Sequence, residues 1–236
     1  MFGILGAFQK YRIGIEVSED GPAVGVVLDS QGQSVAIHDS TSLPALLSEL
    51  PVKGNVVSVA PAFQFSHFKT VKDLDEVCLR SLQFAAEVYL PYNISEASFT
   101  WRPLGQHRAA VGILTKEEVE ALARLIRSHK PSELWVEPVE FAHARLGQAV
   151  FVSKSKTFQL TLSSQETISS LRQTREWLSS GLGAAMSAWK GPPPQQILGA
   201  TSEVVEITGI RSGPLAPHAV ARELAQGPAG PHRLLV

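Results

Sequence analysis

The sequence predicts a mixed α/β protein built as two lobes. Three observations carry this prediction. The order strand, strand, strand, helix, strand occurs twice, first over 11–60 and again over 149–198. Two capping boxes, Asp73-x-x-Glu76 and Thr115-x-x-Glu118, mark helix starts between the two copies. An ordinary apolar fraction, 44% of 236 residues, accompanies only 18% charged residues, which suits sheets covered by helices.

The elements follow in order. Residues 11–17 and 23–28 are apolar segments joined by Ser18-Glu19-Asp20-Gly21, and Asp-Gly between two strands is a hairpin signal. A second turn, Asp29-Ser30-Gln31-Gly32, leads into a strand over 34–38. A short helix over 43–50 stops at Pro51, and 55–60 is an apolar run of buried-strand type. Phe63, Phe65 and Phe68 surround a strand ending near Thr70. A helix over 74–89 is expected next, with Asp73 as its cap and Leu74, Val77, Cys78, Leu82, Ala85 and Tyr89 at helical spacing. Pro91 ends it.

Residues 98–102 and 109–114 read as a strand pair, and the helix opened by Thr115 carries Val119, Leu122, Ala123 and Ile126 on one face. A strand over 134–136 and a helix over 138–146 follow. Strands over 149–152, 157–162 and 167–171 repeat the opening meander. A helix over 172–189 stops at Pro192-Pro193-Pro194, a strand covers 196–198, and a short helix lies around 219–225 in a Gly- and Pro-rich tail. A meander, helix and strand used twice is the topology of the actin-like, ribonuclease-H-type α/β fold, with a cleft between lobes. The expected division is a first lobe over 1–135 with a small subdomain inserted near 62–114, a reduced second lobe over 136–207, and a terminal segment over 208–236.

Charge narrows the function. Lys and Arg total 21 against 22 Asp and Glu, a formal net charge of −1. A disordered chain or a stand-alone nucleic-acid binder is not expected from that balance. No apolar run reaches the roughly 18 residues that would span a bilayer, and Met1 to Lys10 has no basic region of the signal-peptide kind. A nearly neutral surface favours association. The single cysteine, Cys78, excludes an internal disulfide framework, reads as a buried core thiol, and suits a reducing cytoplasm.

Met1-Phe2-Gly3-Ile4-Leu5 followed by Ile13-Gly14-Ile15-Glu16-Val17 resembles the start of the PilM family of type IV pilus assembly proteins. That family opens with a Met-Phe-Gly-like leader and an Ile-Gly-Ile-Asp-Ile-Gly phosphate strand. Val57 to Pro61 resembles its next strand. The stretch Ala85-Ala86-Glu87-Val88-Tyr89-Leu90-Pro91-Tyr92-Asn93-Ile94-Ser95-Glu96-Ala97-Ser98 is similar to the family's Glu-x-Tyr-Ile-Pro-Phe-Pro-Leu-x-Glu-Val-Ser. Val136-Glu137-Pro138-Val139-Glu140-Phe141-Ala142 resembles the segment that introduces the second lobe. The competing resemblance is to the cytoplasmic domain of the type II secretion protein GspL, which shares the fold. GspL continues into a membrane span, and the expectation here is a chain without one.

An actin-like ATPase needs glycine-containing hairpins that offer backbone N–H groups to phosphates, and an acid in each to hold the waters of Mg²⁺. Here Glu16 stands where the family has Asp, and Ser18 replaces its glycine. Glu19 and Asp20 add negative charge to the same turn. The second hairpin, Val152-Ser153-Lys154-Ser155-Lys156-Thr157, has no carboxylate. The adenosine segment Ile197-Leu198-Gly199-Ala200 keeps one glycine, and the chain before it is too short for the subdomain that roofs a nucleotide. The cleft residues Glu16, Ser18, Ser153, Lys154 and Gly199 thus read as vestigial, with no catalytic residue and no metal site. Neither ATP nor Mg²⁺ is expected as a cofactor, and Lys154 and Lys156 read as a solvated rim.

Glu140-x-x-His143 places a carboxylate and an imidazole on one helix face, but a di-iron bundle needs a second such pair, so a surface ion pair is expected. His67 and His107 fall near strand ends and are expected to face solvent. Trp177, Met186 and Trp189 fit a core-facing stripe. The resemblance implies a non-enzymatic cytoplasmic scaffold, held at the inner membrane by a partner. That partner is a PilN-like protein gripped by its N-terminal peptide, or one of GspL/GspM type. An assembly ATPase and a second copy of the chain are further partners consistent with it. Phe63, Phe65, Tyr89, Tyr92 and Trp101 of the inserted subdomain are the expected anchors for that peptide. The alternatives are an actin-like ATPase with an atypical cleft, in which Glu16 still organises Mg²⁺, and a self-polymerising actin-like protein.

Overall fold

Strand β1 (Arg12–Val17) lies inside a six-stranded sheet, and its two faces decide what packs where. The computed structural model describes residues 10–18, 21–61, 67–104, 107–146, 149–154, 157–163, 168–174, 196–198, 211–213, 216, 218–226 and 234–235. β2 (Ala23–Leu28) and β3 (Ser34–Ser40) fold back antiparallel, as the two turns predict. In the first turn Gly21 has φ +99°, a conformation that favours glycine. In the second, the Asp29 carboxylate accepts from the N–H groups of Gln31 and Gln33, each at 2.9 Å. On the other side of β1 run β4 (Val56–Ala60) and β8 (Glu133–Val136), both parallel to it, and β14 (Leu234–Leu235) closes that edge antiparallel to β8.

Period-two alternation sends Ile13 and Ile15 to one face and Gly14 and Glu16 to the other. The first face joins Val57, Val59, Leu134 and Val136 in a core. It is covered by Leu43, Leu46 and Leu47 of α1 (Leu43–Glu49) and by Val119, Leu122, Ala123 and Ile126 of α3 (Lys116–Arg127). The stripe predicted for α3 is the buried one. Its cap also forms, since the Thr115 hydroxyl accepts from the Glu118 N–H and donates to the Glu118 carboxylate.

The second face meets α4 (Val139–Leu146) and α5 (Ala219–Ala225). Ala60 packs with Val139, Ala142, Val220 and Leu224, while Val26 and Leu28 pack with Ala221 and Ala225. α5 sits so close to β1 that a Cβ on Gly14 would overlap the Ala221 carbonyl oxygen and the Ala225 amide nitrogen. Arg12, on the same face, donates to the Gln226 carbonyl at 3.0 Å and so caps the C-terminal end of α5. The short helix read from the tail is therefore one wall of the first sheet.

Between β4 and α3 the chain inserts a second, three-stranded sheet in the order β5 (His67–Val71), β7 (Ala109–Thr115), β6 (Ala97–Pro103), all antiparallel. The helix expected over 74–89 is shorter here: α2 spans Leu79–Glu87. Asp73 is not its cap but takes a left-handed φ of 56°. Leu74 cannot join a helix because both its backbone groups are engaged by His107: its N–H donates to the His107 carbonyl at 3.1 Å, and its carbonyl lies 2.6 Å from His107 Nδ1. Cys78 is the N-cap residue and half-exposed, which corrects its reading as a buried core thiol.

The other lobe holds a five-stranded sheet in the order β11 (Ile168–Thr174), β10 (Thr157–Ser163), β9 (Ala149–Lys154), β12 (Gln196–Leu198), β13 (Arg211–Gly213). This order repeats β3-β2-β1-β4-β8 of the first sheet, with the meander antiparallel and the last two strands parallel to its inner strand. Arg172 to Thr174 belong to β11 rather than to the helix expected over 172–189, whose remainder lies outside the described residues, with Trp177, Met186 and Trp189.

Candidate functional site

Open α/β sheets receive ligands beyond the C-terminal ends of their parallel strands. In the first sheet those ends carry two carboxylates. Glu16 pairs in register with Ala60 of β4, and Glu137 follows directly on β8, its N–H donating to the Val59 carbonyl at 3.1 Å. The two acids therefore flank Ala60 from strands two apart, a backbone separation of about 10 Å.

Glu137 is buried and already committed. Its carboxylate takes both arms of the Arg145 guanidinium, at 2.5 and 3.2 Å, and Arg145 Nε lies 3.6 Å from the Glu223 carboxylate of α5. Pro138, next in sequence, turns the chain out of β8 and into α4, so that Arg145 two turns on reaches back to Glu137. Both of its oxygens are taken by the guanidinium fork, which spends its lone pairs on Arg145. The neighbouring Glu140 and His143 are each only 1% exposed. This corrects the surface ion pair expected of them: α4 is packed between α5 and strands β9 and β10, and both side chains are buried there.

Two backbone donors of the first hairpin are engaged within it. The Ser18 N–H donates to the Pro22 carbonyl at 2.8 Å, and the Gly21 N–H donates to the Ser18 carbonyl at 3.1 Å. These two donors are spent within the turn, where a phosphate-binding hairpin would offer them outward. Gly14 of the phosphate-strand motif makes room for α5. Ser153 and Lys154 end β9, opposite Phe158 and Thr157 of β10. Gly199 and Lys156 lie outside the described residues. Among the described residues no three His, Cys, Asp or Glu side chains are placed to hold a metal ion.

The expected peptide anchors separate into two groups. Tyr92 and Trp101 are half-buried against the core of the inserted subdomain, beside Leu82, Ala86 and Phe99. Burial and the nearby Glu118 charge push the Tyr92 phenol above its ordinary range. Tyr89 stands 56% exposed just past the end of α2. Phe63 and Phe65 lie outside the described residues. Sequence reading missed Phe84 and Val88, which are 79% and 84% exposed and one helical turn apart. The available signal was that α2 carries apolar residues on two faces: Leu82 and Ala86 fill one, so Phe84 and Val88 are left to the other.

No protein-family model matches the chain, and no curated protein matches it. Solved structures do. The cytoplasmic domain of EpsL, an inner-membrane component of the type II secretion system of Vibrio cholerae, superposes with a TM-score of 0.67 at 14% identity, over 92% of this chain and 94% of that one. A Bacteroides thetaiotaomicron protein of actin-like ATPase fold and unknown function gives a TM-score of 0.57 at 11% identity, over 95% and 99% of the two chains. The actin-like fold is thereby established. No described helix is long and apolar enough to cross a membrane. The EpsL chain in the comparison is itself only a cytoplasmic domain, so a missing span does not separate a PilM-like from a GspL-like chain.

Proposed function

We propose that this chain is a non-catalytic component of an inner-membrane assembly platform, of the type II secretion or type IV pilus kind. In this reading it works on the cytoplasmic side, and its inserted subdomain holds the N-terminal cytoplasmic peptide of a PilN-like or GspM-like membrane protein. The observation that carries the reading is the likeness to the EpsL cytoplasmic domain, which runs through nearly the whole of both chains. The non-catalytic part rests on the cleft. Glu137 is held by Arg145, and the Ser18 and Gly21 N–H groups close their own turn. The outward face of α2, with Phe84, Val88 and Tyr89, offers apolar area of the kind that marks protein contacts.

Two measurements test this. Titration calorimetry with Mg-ATP is expected to give no binding, and micromolar affinity would return the chain to the actin-like ATPases. Co-purification with a single-span membrane protein of the PilN or GspM type is expected for the parent chain and lost in a folded Phe84→Asp, Tyr89→Asp variant. Full retention of the partner by that variant would remove α2 from the interface.

A further inference from the structure

We propose that the end of the first sheet opposite the cleft is a membrane-docking face, which binds bilayers of anionic phospholipid through Lys10, Arg12, Lys53, Arg127 and Lys130. The inference goes beyond the platform reading and needs none of its partners, since the lone chain is expected to bind lipid.

Topology brings these residues together. β1, β4 and β8 run parallel, so the segments that enter all three lie at one end of the sheet. Lys10 and Arg12 open β1, Lys53 lies in the loop before β4, and Arg127 ends α3 with Lys130 following in the loop to β8. Backbone bonds stitch the last two segments to each other. The Gly54 N–H donates to the Lys130 carbonyl, and the Ser132 N–H donates to the Asn55 carbonyl, both at 2.9 Å. The Asn55 side chain, in a residue only 8% exposed, ties in the first segment. Its oxygen accepts from the Tyr11 N–H at 2.8 Å, and its nitrogen donates to the Pro51 carbonyl at 2.6 Å. A buried amide engaged on both sides holds the three basic segments in one fixed face, so binding has little left to order.

The charge of this end is one-sided. All five cations are exposed. Among the described residues no carboxylate forms an ion pair with Lys10, Lys53, Arg127 or Lys130, and Arg12 meets only the neutral Gln226 carbonyl at 3.0 Å. The same loops, with the turn between β2 and β3, hold two acids, Asp29 and Glu133. Asp29 accepts from the N–H groups of its own turn, and Glu133 accepts from Trp135 Nε1 at 3.1 Å. With a net charge of −1 over the whole chain, a basic excess here leaves an acidic remainder, and Glu16 and Asp39 stand at the far end of the same sheet. Separated charge of this kind turns the basic end toward an anionic surface.

A bilayer is the partner because it matches two kinds of residue. A cluster of about four to eight Lys and Arg suits anionic headgroups, each cation adding about fivefold in affinity. The sequence leading into Lys10 adds Phe2, Ile4, Leu5 and Phe8 and carries no charge. The boundary between headgroups and acyl chains takes basic and apolar residues side by side, whereas a phosphate backbone is matched only by the basic ones.

Vesicle co-sedimentation of the full chain tests this. Binding is expected to vesicles of phosphatidylglycerol and phosphatidylcholine in equal parts, is not expected to phosphatidylcholine alone, and should weaken as salt is raised. The double variant Lys53→Gln, Lys130→Gln, confirmed folded by circular dichroism, is expected to bind about 25-fold more weakly. Lys72→Gln, Arg80→Gln removes the same charge from the inserted subdomain and is expected to change binding by less than about twofold. A chain that does not bind the mixed vesicles overturns the proposal. So does equal binding to both kinds of vesicle, or an equal loss in the two double variants. A single-stranded RNA oligonucleotide bound more tightly than the vesicles, with the same loss in the Lys53, Lys130 variant, would overturn it in favour of nucleic acid.

Discussion

The Glu137 carboxylate and the Arg145 guanidinium meet in a two-bonded fork, at 2.5 and 3.2 Å, with side chains only 4% and 11% exposed. Breaking a buried pair from one side strands a charge, which costs about 3–5 kcal/mol. Arg145→Met alone is therefore expected to lose stability on that scale in urea unfolding. The double variant Glu137→Met, Arg145→Met should recover most of the loss. If the two single losses simply add, the fork contributes no coupling.

Gly14 gives a second test, because only backbone lies above it. Gly14→Ala must push α5 off β1, and overpacking of this kind costs about 3 kcal/mol. Gly32→Ala serves as the comparison. Nothing lies within 4 Å of its added Cβ, so the cost is that of a left-handed backbone, about 1 kcal/mol. Equal losses in the two variants would mean that α5 does not bear on Gly14.

Cys78 is expected to react as a thiolate at lower pH than an ordinary cysteine. The Ser81 hydroxyl, 3.3 Å from its sulfur, and the Ser81 amide both hold its pKa below the ordinary value. The alkylation rate against pH should therefore have its midpoint below that of a model thiol, and Ser81→Ala should move the midpoint up. An unchanged midpoint in that variant would dismiss the serine as the cause.

Tyr92 sets an alkaline limit. Burial and the Glu118 charge raise its phenol above the ordinary value of 10.0. Between that value and the raised one, the unfolded chain has lost a proton that the folded chain keeps, so stability falls as pH rises. Tyr92→Phe should flatten the decline above pH 10. A decline unchanged in that variant would assign it elsewhere. Among the three tyrosines, Tyr92 is also expected to titrate later in ultraviolet absorbance than a free phenol.

Much of the fold is legible in the residues. Alternation, the two turns around β2 and the Thr115 capping box are local signals, and each marks the element that forms. The failures share one cause, which is long-range contact. Asp73-x-x-Glu76 has the pattern of a cap, yet His107 takes both backbone groups of Leu74 from 33 residues away. Glu140 and His143 have the spacing of a surface ion pair and are buried because α4 packs between α5 and the strands β9 and β10. At the cleft, the closed first turn could be read from its Ser18-to-Gly21 residues. The Arg145 fork on Glu137 could not, since eight residues of spacing do not say which side chain turns inward.

The contact between Arg12 and Gln226 spans 214 residues. On a ribosome adding about 5–20 residues per second, that interval lasts roughly 10–40 s. Throughout it, β1 and β2 are made but their second face has no cover, and Gly14 offers only a gap. The nascent first lobe must therefore wait, with apolar surface open, until α5 has been translated. A message cut short anywhere before α5 would yield a half-built sheet, which protein quality control could recognise by its naked face.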